Sequence, residues 1–148
     1  MNPAFRVAGP RDLEPLLSFV REFWAIERIP FVEPAVRRAL EGILANPDFG
    51  RVLLIELESR AVGYYVLTLG YSLEFLGRDA FIDELYVREA WRGRGLGTQA
   101  LAHAAALCAD LGVGALHLEV DHVNPRARAL YERSGFAVHE RALMTRRI

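Results

Sequence analysis

Arg92-Gly93-Arg94-Gly95-Leu96-Gly97-Thr98 joins a strand-like segment to a helix-like segment, and the fold assignment begins from this stretch. Glycines at alternate positions carry no Cβ atoms, so backbone amides can face one concavity and approach a ligand closely. The positive end of the following helix favours a phosphate, and the two arginines can add charge-assisted hydrogen bonds. The stretch predicts a phosphate-binding loop, although a tight turn with solvated arginines remains an alternative at this point.

Two common nucleotide-binding loops fail on spacing. A Walker A loop ends in Gly-Lys followed by Ser or Thr, and this chain contains no lysine. A dinucleotide-binding fingerprint needs a further glycine after Gly97, where Gln99 and Ala100 stand, and an early parallel βαβ unit. Neither reading fits the loop.

Periodicity around the loop predicts a mixed α+β fold on one central sheet. Strands are expected at 5–7, 51–58, 61–70, 80–87, 115–120, 136–138 and 142–145, the second to fourth forming an antiparallel meander. Helices are expected at 13–24, 33–44, 95–111 and 125–133. We find no repeat or linker in the 148 residues, so a single domain over 1–148 is predicted.

Composition limits the classes of function. The chain is 52% hydrophobic and has a formal net charge of -1, so neither nucleic acid nor a membrane surface is an expected partner. The single cysteine, Cys108, lies on the apolar side of a predicted helix and is expected to be a core residue. No histidine pair has metal-ligand spacing, so no metal is predicted. We see no signal peptide or membrane span and expect a cytoplasmic protein.

Two motifs in order give a family resemblance. Arg92, Gly95 and Gly97 match the pattern of Gln or Arg, two residues, Gly, one residue, then Gly or Ala. The strand 81–87 precedes it, and a second motif follows in Leu118-Glu119-Val120, Asn124, Ala127, Leu130-Tyr131-Glu132 and Gly135-Phe136. The sequence thereby resembles the GNAT superfamily of acetyl-CoA-dependent N-acetyltransferases.

The resemblance implies a GNAT-like fold and a cosubstrate site. The fold would be a twisted, mostly antiparallel sheet of six to seven strands flanked by about four helices. The backbone of Leu85, Tyr86 and Val87 would bind the pantetheine arm of acetyl-CoA. The pyrophosphate would be wrapped by the amides of Arg92, Gly93, Arg94, Gly95, Leu96, Gly97 and Thr98. Asn124 would contact the middle of the cosubstrate and Arg126 its nucleotide end, a solvated helix face being the alternative for Arg126.

Acetyl transfer to an amine needs a base for the ammonium and an acid for the leaving thiolate. By the resemblance, Tyr131 lies near the sulfur and would donate the proton. Glu84 and Glu119 are the candidate bases, with Asp83 third; the alternative for each is an ion pair on a solvated strand face. Because adjacent strand residues face opposite sides of a sheet, only one of Asp83 and Glu84 is expected to line the cleft.

The acceptor is expected to enter beside Trp24, Glu27, Phe31, Glu74 and Asp83. Aromatic rings with carboxylates suit a cationic amine. The strand 81–87 also looks like that of diamine and thialysine acetyltransferases, which favours a small-molecule amine, a polyamine or an amino-acid-like compound. A peptide N-terminus and a non-catalytic acyl-CoA-binding module remain open. Family members are often dimers, so a homodimer is also open.

Overall fold

The computed structural model describes residues 2–148. Its strands are β1 (Ala4–Val7), β2 (Gly50–Leu57), β3 (Arg60–Ser72), β4 (Gly77–Val87) and β5 (Ala115–Leu118). Its helices are α1 (Leu13–Glu27), α2 (Glu33–Ala45), α3 (Leu96–Asp110) and α4 (Pro125–Arg133). Within these residues, the longest and most apolar helices still fall short of what crossing a bilayer requires.

The five strands form one sheet in chain order, with helices on both faces. All neighbours are antiparallel except β4 and β5, which are parallel, so the predicted antiparallel meander is confirmed. Strand β2 is apolar on both faces: Val52 and Leu54 pack with α1 and α2, while Leu53 and Ile55 pack with α3. Burial on both faces explains why this segment shows no polar alternation.

The predicted strands at 136–138 and 142–145 are wrong, and the sheet has five strands rather than six to seven. The segment after α4 is held by side chains instead of a ladder. Arg141 donates two hydrogen bonds to Glu74, at 2.8 and 2.9 Å, and His139 stacks on Phe75 with ring centroids 6.0 Å apart. The tendency of a short segment to form a strand depends on its context, and here side-chain contacts hold the segment instead.

Strand β4 carries a β-bulge at Asp83. Val66 of β3 pairs with Glu84, but the next residue, Leu67, pairs with Ile82, which leaves Asp83 without a partner in the ladder. The bulge changes the facing of side chains along the strand, because one extra residue shifts an alternation of period two. Ala80 and Ile82 face α3 before the bulge, whereas Tyr86 faces α1 and α2 after it.

Beyond the bulge, β4 also loses its second neighbour. The parallel pairing with β5 ends at Ile82 and Leu118, and the five residues 83–87 of β4 have a strand only on the β3 side. Half of their backbone groups therefore face an open edge between β4 and the segment that follows β5. An extended ligand could add to such an edge by main-chain hydrogen bonds.

Candidate active site

A cavity of about 180 Å³ lies between α1, α2, β3 and β4. Most of its wall is aliphatic, contributed by Val20, Val36, Ala39, Leu40, Ile43 and Val66. Four residues with polar groups also line it: Trp24, Thr68, Asp83 and Glu84. Both carboxylates reach the same cavity because the bulge interrupts the alternation of β4 between them. The prediction that only one of Asp83 and Glu84 could line the cleft is therefore wrong.

Glu84 is held in a fixed orientation inside this cavity. The indole N–H of Trp24 donates to Glu84 Oε2 at 2.6 Å, and the hydroxyl of Tyr64 donates to Oε1 at 2.7 Å. Burial raises the pKa of Glu84 above its usual range; the Tyr64 and Trp24 hydrogen bonds lower it, and the charge of Asp83 raises it. Burial raises the pKa of Asp83 as well. Either carboxylate therefore takes up a proton more readily than a fully solvated carboxylate does.

The glycine loop presents amides at the start of α3. Gly93 and Gly95 have φ values of +74° and +78°, a conformation that side chains with a Cβ rarely adopt. Gly95 is the N-cap and provides no side chain to cap the helix, and the amide of Gln99 bonds to its carbonyl at 3.0 Å. The amides of Leu96, Gly97 and Thr98 precede that bond and lie at the positive end of the helix. This geometry fits a pyrophosphate.

Both loop arginines fold back on their own segment. Arg92 donates to the carbonyl of Val87 at 2.8 Å and lies 5.7 Å from the ring centre of Tyr86. Arg94 lies over Trp91, with 4.8 Å between the guanidinium carbon and the ring centre. These contacts tie both arginines to the segment between β4 and α3.

Helix α4 packs beside the glycine loop. Asn124 caps α4 by accepting a hydrogen bond from the amide of Ala127 at 3.1 Å, which explains why the helix begins at Pro125. Leu130 lies 3.8 Å from the position that a Cβ on Gly97 would occupy, so α4 packs against the first turn of α3. Burial and the charge of Glu27 raise the pKa of Tyr131, so its phenol is a proton donor at neutral pH.

The model of the acetyltransferase (GNAT) family matches residues 16–136, a span that includes the cavity, the loop and α4. The chain belongs to this family. The match confirms the resemblance drawn from the two motifs and confirms the mixed α+β fold, apart from the strand count.

Individual GNAT relatives agree with this assignment. The chain is 34% identical to the thialysine N-epsilon-acetyltransferase of Bos taurus over 142 residues, which covers 88% of this chain and 81% of the relative. It is 25% identical to the enzyme of the same name from Mus musculus, covering 86% and 79%. An integron cassette protein from the mobile metagenome of a salt marsh superposes with a TM-score of 0.87 at 36% identity, covering 97% and 90%. Both of the relatives that carry an enzyme name are acetyltransferases.

The structure brings together some of the predicted GNAT site residues. Trp24, Asp83 and Glu84 share the cavity, and Phe31 lies against Trp24 with 6.0 Å between ring centres. Glu27 is exposed at the end of α1, and its charge raises the pKa of Tyr131 on α4.

Other predicted residues lie apart from the cavity. Glu74 lies in the turn between β3 and β4 and forms an ion pair with Arg141. Glu119 is exposed and follows β5, although 115–120 was the predicted strand. Arg126 is exposed on α4. Across residues 2–148, the His, Cys, Asp and Glu side chains form no group of three suited to a metal ion.

Sequence reasoning missed Tyr64 and the wall supplied by α2. Tyr64 is fully buried, and a buried phenol needs a hydrogen-bond partner. A tyrosine among the apolar residues of β3 was therefore a signal that a polar group lay near its hydroxyl. The sequence did not identify Glu84 as that group, because 20 positions separate the two residues.

Proposed function

We propose that this GNAT protein transfers an acetyl group from acetyl-CoA to a primary amine in a ternary complex. The observation that carries the proposal is Glu84, a half-buried carboxylate that faces the cavity at the point where the edge of β4 opens. The amine would occupy the cavity, and the acetyl donor would lie along the open edge and the glycine loop.

The chain offers a separate contact for each part of acetyl-CoA, which supplies an activated thioester carbonyl. The edge residues Leu85, Tyr86 and Val87 would bind the pantetheine arm by main-chain hydrogen bonds. The amides of the loop would bind the pyrophosphate. Asn124 and Arg126 at the start of α4 would lie by the middle and the nucleotide end.

Proton transfer is assigned to Glu84 and Tyr131. Glu84 accepts a proton from the bound ammonium, directly or through one water, and passes it to solvent. The nitrogen then forms a bond to the acetyl carbon as the carbon–sulfur bond breaks. Tyr131 gives its proton to the departing sulfur, and the second proton that the nitrogen loses as the amide forms converts the phenolate of Tyr131 back to the phenol.

A covalent acetyl-enzyme is not part of this proposal. Cys108 is the sole cysteine of the chain and is 4% exposed, on the face of α3 that packs into the core. Burial raises the pKa of its thiol, which makes the thiolate scarcer at neutral pH. Direct attack by the amine needs no such nucleophile, because a thioester is already activated.

The relatives support an amine acceptor. Two of them carry the name thialysine N-epsilon-acetyltransferase, which describes transfer to the amino group of a small molecule. Carboxylates facing a cavity suit the same class of acceptor, since a cationic amine is attracted to them.

The decisive experiment measures acetyl-CoA binding by calorimetry and thiol release on a panel of amines and one peptide. We expect micromolar binding and thiol release with at least one small amine. Release only with the peptide would assign the chain to protein N-terminal acetylation. Binding without release on any acceptor would indicate a non-catalytic acyl-CoA module, and absence of binding would refute the proposal.

A further inference from the structure

The cavity wall has two chemically distinct parts, and this inference rests on the proposed function. Asp83 and Glu84 are neighbours on the β4 wall. The other walls are mainly aliphatic, contributed by Val20, Val36, Leu40, Ile43 and Val66. The indole N–H of Trp24 is already bonded to Glu84. An occupant would therefore meet negative charge at one wall and hydrocarbon at the others.

The composition of the lining disfavours binding of an acceptor that carries a second ionised group. In the described part of the chain, no arginine or histidine lines the cavity, and Asp83 and Glu84 are its only acidic residues. An acceptor carboxylate would enter a site that holds two carboxylates and no cation. Apart from the single hydroxyl of Thr68, a second ammonium would lie against aliphatic side chains that cannot accept its hydrogen bonds, at a cost in affinity.

The volume limits how much of the acceptor body lies inside the cavity, which opens to solvent beside Ala39. A cavity of about 180 Å³ is slightly larger than the apolar cavity of about 150 Å³ that takes up benzene. A chain or ring of about six to eight carbon atoms fills such a space.

We infer that the acceptor is a primary monoamine with an uncharged apolar body, alkyl or arylalkyl. Its ammonium lies at Asp83 and Glu84, and its body packs against α2 and Val66. Polyamines and amino acids are poor acceptors for this chain, unlike the amino-acid acceptor in the name of its thialysine relatives.

A matched set of amines tests the inference on the wild-type protein with acetyl-CoA. Hexylamine and 1,5-diaminopentane have the same length, and the second differs only in carrying a terminal ammonium. We expect kcat/KM for hexylamine to exceed that for 1,5-diaminopentane and for lysine at least about tenfold. From butylamine to hexylamine, each added methylene should raise kcat/KM about fourfold.

Two substitutions at Ala39 test the cavity itself. Ala39 lines the cavity from an exposed position on α2, so a larger side chain can enter without disturbing the core. Ala39→Phe should lower kcat/KM for hexylamine at least about tenfold and that for butylamine less. Ala39→Asp should shift the preference toward 1,5-diaminopentane by giving its second ammonium a partner. Ala35→Phe is the control, since Ala35 is exposed one turn earlier and lies outside the lining.

The outcomes separate this inference from the proposed function. A wild-type preference for 1,5-diaminopentane or lysine would overturn the inference and leave acetyl transfer standing. If no amine releases thiol, calorimetry with hexylamine alone decides. Binding that Ala39→Phe removes and Ala35→Phe keeps would support the monoamine cavity while refuting transfer, and no hexylamine binding would overturn the inference.

Discussion

Trp24 donates its indole N–H to Glu84 across 2.6 Å, and this hydrogen bond joins the last turns of α1 to the bulged centre of β4. The contact orients the carboxylate and closes one side of the cavity. The position of α1 therefore affects proton transfer, because a shift of the helix would change both the orientation of the Glu84 carboxylate and its pKa.

Replacing Glu84 should abolish most turnover. Glu84→Gln keeps the shape and one acceptor oxygen but cannot take a proton, so we expect kcat to fall at least about 100-fold. Acetyl-CoA affinity, measured by calorimetry, should change little. Glu119→Gln is the comparison, since Glu119 is exposed outside the cavity. Full activity in Glu84→Gln with loss in Glu119→Gln would move the role of base to Glu119.

The hydrogen bond from Tyr64 should be visible in the pH profile. This bond lowers the pKa of Glu84, so Tyr64→Phe should raise that pKa and move the acid limb of kcat/KM to higher pH. The matched control is Tyr65→Phe. Tyr65 is the next residue, faces α3 and bonds to Nδ1 of His103 at 2.8 Å, so its removal should leave the acid limb in place. Equal shifts in both variants would contradict the assignment.

The same pKa has a consequence for folding. Because burial raises the pKa of Glu84, the folded protein binds that proton more tightly than the unfolded chain. The contribution of Glu84 is therefore fully present below its unfolded pKa, about 4.3, and is lost as pH rises through the folded value. Urea unfolding at several pH values should show the free energy of unfolding of the wild type falling relative to that of Glu84→Gln as pH rises, because carboxylates such as Asp12 contribute equally to both proteins. An identical pH dependence in the two proteins would contradict it.

The conformation of Gly95 should matter for cosubstrate binding beyond its cost in stability. Gly95 and Gly112 have φ values of +78° and +71° at opposite ends of α3, so alanine at either position costs about 1–2 kcal/mol of backbone strain. Only Gly95 orients the loop amides. We expect Gly95→Ala to weaken acetyl-CoA binding at least about tenfold in calorimetry and Gly112→Ala to leave it unchanged. Similar affinities for both variants would exclude the loop as the pyrophosphate site.

Gly63 permits the close approach of β3 to the strand that carries the site. A Cβ there would lie 2.2 Å from the carbonyl oxygen of Tyr86, a backbone atom that cannot move aside cheaply. Gly63→Ala should lower the free energy of unfolding by about 1–3 kcal/mol or more, measured by urea denaturation. Gly42→Ala serves as the control, since nothing lies within 4 Å of its added Cβ and it sits in α2. That change should raise stability by about 0.4–1 kcal/mol.

The sequence predicted those features that depend on neighbouring residues. Helix α4 was predicted at its observed bounds because Asn124 and Pro125 are a cap and a first-turn residue that act locally. The glycine loop was recognisable for the same reason.

Features that depend on distant pairing were not predictable. The bulge at Asp83 is set by the register between Val66 and Glu84, which no local pattern encodes. The hydrogen bond of Trp24 to Glu84 spans 60 positions, and the contact of Arg141 with Glu74 spans 67. The second of these explains the two strands predicted wrongly after α4: a pair of charged side chains holds the segment where the alternation suggested a ladder.

The unpaired position at Asp83 can be gained or lost without changing the faces of the neighbouring residues in β4. If Asp83 were deleted, Ile82 and Glu84 would become ordinary neighbours in the ladder, and each would keep the face it now occupies. An insertion of one residue at this point in an ancestral strand would therefore have added a carboxylate and a bend without turning any core side chain outward. Changes in chain length here alter the chemistry of the site, whereas the same changes elsewhere in the strand would invert its hydrophobic faces.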